Sequence, residues 1–166
     1  MTTSSPGTGA PVASRRPIQI ASLAVGVVFL LVGVLGFIPG ITTNYEALGG
    51  AGHHSGAMLL GLFNVSVLHN IVHLAFGVAG VVMARTAALA RAYLIGGGVI
   101  YAVLFVYGMV IDHDSAANFV PVNQADNWLH LGLAIGMIAL GVLLANRDTR
   151  GLPARRASDA QGRTAG

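Results

Sequence analysis

The chain has no cysteine, no lysine and little charge of either sign. The first absence excludes disulfides and every thiolate-held zinc or iron–sulfur centre. The second leaves nine arginines as the fixed positive charge. The third is the most informative. Asp, Glu, Lys and Arg make up 9% of the 166 residues, where a soluble domain carries about 25%. Apolar residues supply 54%. That balance points to lipid as the solvent. An alanine- and glycine-rich chain with arginine in place of lysine also points to a GC-rich bacterial genome.

Four apolar runs meet the length needed to cross a bilayer, about 20 residues for about 30 Å of hydrocarbon. They lie at about 18–38, 67–84, 93–111 and 127–145, and none contains Asp, Glu, Lys or Arg. Each is expected to be helical, because lipid offers no partner to an unpaired backbone group. The first run is too long for the apolar core of a cleaved signal peptide and ends in Pro39 and Gly40 without a small-residue cleavage site. It reads as a retained span. The flanking segments 1–17 and 146–166 lack apolar periodicity and read as disordered tails.

The arginines set the orientation. Arg15 and Arg16 precede the first run, and Arg85 and Arg91 bracket the link between the second and third. Arg147, Arg150, Arg155, Arg156 and Arg163 follow the fourth. The other two loops have none, and Glu46, Asp112, Asp114 and Asp126 fall on that side. The positive-inside rule places both termini in the cytoplasm of a bacterial plasma membrane. The basic balance therefore reflects topology and implies no nucleic-acid partner. Trp128, Phe119, Tyr45 and Tyr93 read as interface anchors.

An internal repeat organises the four spans. His69-Asn70-Ile71-Val72-His73-Leu74 matches Asp126-Asn127-Trp128-Leu129-His130-Leu131 at an offset of 57. Gly26 to Phe29 matches Gly98 to Tyr101, and Gly36 matches Gly108, at an offset of 72. Both halves run from inside to outside and back, so the repeat is parallel, about an axis along the membrane normal. The expected fold is an all-α membrane protein of four transmembrane helices in two parallel two-helix repeats. Gly26, Gly33, Gly36, Gly96, Gly97, Gly98 and the Gly132/Gly136 pair are expected to let the helices approach closely.

The segment "LGLFNVSVLHNIVHLAFGVAG", the later "ADNWLHLGLAIGM" and the four-span layout resemble an uncharacterised bacterial integral membrane protein family, domain of unknown function four-three-eight-three. The resemblance covers about 18–145. It implies a four-span membrane protein and no established reaction.

The candidate site is the polar set His69, Asn70, His73, Asn127 and His130. His69 and His73 stack one turn apart on one helix face. Two roles compete. In the first, these side chains hydrogen-bond between helices near the outer face, with Ser66, Asp126 and Asn127 capping helices. The protein is then a structural or interaction element of the membrane, with lipid, a second copy or another membrane protein as partner. In the second, His69, His73, His113, His130, Asp112 and Asp114 form a metal site, or His73 and His130 hold a haem. The first is favoured, because polar side chains within spans usually find one another. No cofactor is required by it. No Glu lies between His69 and His73, which excludes a metalloprotease motif. Ser55 and Ser66 form no nucleophile motif, so no catalytic residue is assigned.

Overall fold

The computed structural model describes residues 15–150, with side chains described to residue 145. The expected tails lie largely outside the described residues. Four helices carry the fold: α1 Pro17–Leu35, α2 Val67–Met83, α3 Ala87–Val110 and α4 Gln124–Arg150. Three of them, Pro17–Leu35, Ala87–Val110 and Gln124–Ala145, are long and apolar enough to cross a membrane. The fourth, α2, is apolar and has 17 residues, about 25 Å at 1.5 Å per residue. Ile20, Val28, Leu31, Ile71, Val78, Val103, Val106, Ile135 and Leu143 point outward and are half or more exposed. A largely apolar exterior of this extent suits lipid rather than water. The chain is a mostly helical membrane protein.

Each helix starts where a capping residue stops the preceding loop. Pro17 opens α1 at the position where a missing N–H costs nothing. Ser66 caps α2, its hydroxyl accepting from the His69 amide at 3.1 Å. Thr86 caps α3 by accepting from the Leu89 amide at 3.2 Å. Asn123 and Asp126 close a reciprocal box at α4: Asp126 N donates to Asn123 Oδ1 at 3.0 Å, and Asn123 N to Asp126 Oδ2 at 2.9 Å. The link between α2 and α3 is therefore only three residues, 84–86. Arg91 lies inside α3, not at the edge of a longer link.

Helices pack in antiparallel pairs, α1 on α2 and α3 on α4. Gln19 Nε2 donates to the carbonyls of Ala84 and Arg85 at 3.0 and 2.9 Å, filling acceptors left open at the end of α2. Ser22 Oγ donates to Gly80 O at 2.9 Å. A methyl added at Gly26 would lie 2.9 Å from Gly77 O and 2.8 Å from Val81 N. One added at Gly98 would lie 3.0 Å from Ala134 O and 3.1 Å from Ile138 N. Glycine at these two positions is what lets each pair of backbones touch. Gly96, Gly132 and Gly136, in contrast, face open space. They line no contact within the described bundle. Tyr93 is buried against Gly80.

The α1–α2 connection has structure of its own. It forms a small antiparallel sheet of β1 Thr42–Thr43, β2 Met58–Leu59 and β3 Phe63–Asn64, with a 3-10 turn at Tyr45–Ala47. Leu60 and Gly61 turn β2 into β3, both with positive φ, at 55° and 69°. Asn118 knits the α3–α4 connection. Its Nδ2 donates to His113 O and Val122 O, and its Oδ1 accepts from Val122 N. These two connections share one end of the bundle, where Asn64 N donates to Asp126 Oδ2 at 3.0 Å.

Candidate functional site

At that loop end, six polar side chains of α2 and α4 are buried: the five expected, His69, Asn70, His73, Asn127 and His130, and Asp126. The Ser66 cap fixes the first turn of α2. It thereby aims His69 at the α3–α4 connection, where its Nδ1 is 3.1 Å from Pro121 O. A carbonyl only accepts, so this Nδ1 carries the proton and Nε2 keeps its lone pair. His69 thus reaches the loop at Pro121 in a buried position.

The rings form a path through all four helices. His69 stacks on His73 with centroids 4.6 Å apart. His73 stacks on Phe29 of α1 at 5.7 Å, Phe29 on Tyr101 of α3 at 5.4 Å, and Tyr101 meets His130 of α4 at 5.2 Å. Phe29 and Tyr101 were not singled out as site residues. The one available signal was their matched place, three residues after Gly26 and Gly98. An aromatic within an uninterrupted apolar run carries no periodic mark of its own.

The asparagines sit under glycines. A methyl at Gly36 would overlap the Asn70 side chain, and one at Gly108 the Asn127 side chain. Asn127 Nδ2 donates to Gly108 O at 2.9 Å. His113 Nε2 donates to the same carbonyl at 2.8 Å. That oxygen lies in the last turn of α3 and has no helical donor of its own. His113 is thus committed to ending a helix. Asp112 and Asp114 are exposed and bond within their own turn, Asp114 N to Asp112 Oδ1 at 3.0 Å. The rings of His53 and His54 meet at a tilt of 41° with centroids 3.9 Å apart in the first connection.

The expected metal set is not drawn into one place. Among the described residues, no group of three or more His, Asp or Glu is arranged to hold a metal ion. What the site does have is unspent polarity. Both amide atoms of Asn70, Asn127 Oδ1, and Nδ1 of His73 and of His130 are buried without a hydrogen-bond partner among the described residues. Two cavities of about 110 and 100 Å³ flank the histidines, and His69, His73 and His130 line both.

No curated protein and no solved structure matches the chain. One family model does, described as "Domain of unknown function (DUF4383)", over residues 19–143. That match spans all four helix cores and the whole His/Asn cluster, well over half of the sequence, and the chain belongs to this family.

Proposed function

We propose that this is a four-span structural or interaction protein of a bacterial plasma membrane, with both termini cytoplasmic. Its Asn/His cluster lies near the outer face and holds each of two related helix pairs together. The observation that carries the reading is the doubling of the contacts. Gly36 on Asn70 recurs as Gly108 on Asn127, and Gly26 on Gly77 and Val81 recurs as Gly98 on Ala134 and Ile138. Phe29 on His73 recurs as Tyr101 on His130. Even the caps correspond, Ser66 with Asn123. All these pairs keep the offsets of 57 and 72 found between the sequence motifs. This supports a parallel repeat about an axis along the membrane normal. Polar groups placed on that axis avoid hydrocarbon, where they would be costly.

A metal-binding role has one feature in its favour. His69 spends Nδ1 on a backbone carbonyl, the partner that orients many metal-ligating histidines. Against it, the rings of His69 and His73 are stacked and no third His, Asp or Glu among the described residues joins them to hold a metal. Neither cavity approaches the size of a porphyrin. Metal analysis and an absorption spectrum of the purified protein separate the two roles. Absence of stoichiometric metal and of a Soret band is expected. A stoichiometric metal lost on His73→Ala would overturn the structural reading.

A further inference from the structure

The two cavities beside the histidines occupy corresponding places in the two halves. The larger lies between α2 and α3, with Val72 and Leu104 at its wall. The smaller lies between α4 and α1, with Leu129 and Val32 in the corresponding positions. Val72 and Leu129 are 57 apart, and Val32 and Leu104 are 72 apart, the offsets of the sequence motifs. His73 and His130 back both cavities. The pair differs chemically: Asp126, the counterpart of His69, lines only the smaller cavity, and Tyr107, the counterpart of Leu35, lines only the larger.

We propose that the larger cavity is a binding site for a lipid-soluble quinone, entered sideways from the membrane. Four observations support it. The mouth is apolar and outward-facing, since Val72, Leu104 and Phe119 are 43%, 37% and 57% exposed. A ligand dissolved in lipid can reach such a mouth without crossing water. The cavity measures about 110 Å³, on the scale of the roughly 150 Å³ void that holds one benzene ring. That volume limits the head group to a single ring, with any tail leaving between α2 and α3. Its back wall carries groups able to hydrogen-bond a ligand, the imidazoles of His73 and His130. Both side chains are more than nine-tenths buried. A ring with carbonyl oxygens satisfies a donating imidazole there, where a bare hydrocarbon leaves it unpaired at a cost. Finally, no carboxylate lines this cavity. In the smaller one Asp126 would set its lone pairs against the ligand's oxygens, so the two cavities are not equivalent as hosts.

This goes beyond the structural role and does not depend on the topology. The test is calorimetric titration of the full-length protein in detergent with a decyl-substituted benzoquinone, and with decylbenzene as the oxygen-free control. Saturable binding near one per chain is expected for the quinone and not for decylbenzene. Val72→Trp, which plugs the mouth, should abolish it, while Leu129→Trp at the smaller cavity should leave it. His130→Gln should weaken it about tenfold, the loss of one hydrogen bond. Val72 and Leu129 face outward, so their variants keep the test valid if His130→Gln unfolds. No saturable binding to the intact protein, equal binding of decylbenzene, or binding unchanged by Val72→Trp would each overturn the proposal.

Discussion

Gly36 lies so close to the amide of Asn70 that a methyl group at residue 36 would overlap it, and Gly108 stands in the same relation to Asn127. Each asparagine fills the space that a missing side chain leaves on the partner helix. Gly36→Ala and Gly108→Ala should each destabilise the protein by about 1–3 kcal/mol, the usual range for overpacking. Gly132→Ala and Gly136→Ala point into open space and should stay within about 0.5 kcal/mol. Denaturant unfolding in detergent measures all four. Equal effects at both kinds of site would mean that the close contacts are not as described.

The two asparagines differ in one respect. Asn127 donates to Gly108 O, whereas neither amide atom of Asn70 has a partner among the described residues. Replacing an unpaired buried amide with a similar apolar volume is neutral or stabilising. Asn70→Leu should therefore leave unfolding unchanged or shifted upward. Asn127→Leu removes a hydrogen bond and should cost about 1 kcal/mol. A larger loss at Asn70 would mean that its amide has a partner, such as a buried water.

The cap of α4 also anchors the first connection, since Asp126 Oδ2 accepts from both Asn123 N and Asn64 N. Asp126→Ala should cost about 0.5–2 kcal/mol as a lost cap. It should also speed hydrogen exchange at the Asn64 amide, which a purely local cap would not. Unchanged exchange there would separate the two roles.

Much of this was legible in the sequence because lipid enforces simple rules. Apolar length marked the helices, and Asn-x-x-His-Leu at matched points of two runs marked the buried cluster. Ser66 was readable as a cap. Other features were hidden for physical reasons. The start of α3 is hidden: the helix begins at Ala87, but Arg91 interrupts the apolar run, which is uncharged only from about Tyr93. An arginine near a helix end can lay its stem along the helix and extend its charge to water, so it need not end the helix. The sheet in the first connection was missed because its strands have two residues each, too few for alternation to register. Gly132 and Gly136 have packing spacing, but spacing alone does not say which face a partner occupies. Asn118 and Asn123 act through backbone bonds within loops, which leave no periodic trace.

The proposed parallel arrangement of the two halves makes one demand: both long connections lie on one side of the membrane and the short α2–α3 link on the other. The natural absence of cysteine makes this directly measurable. Single substitutions Gly50→Cys, Ala116→Cys and Thr86→Cys can be probed in intact cells with a membrane-impermeant maleimide. Labelling at 50 and 116, with 86 reacting only after permeabilisation, is the expected result. Labelling at 86 in intact cells, or opposite behaviour of 50 and 116, would contradict it.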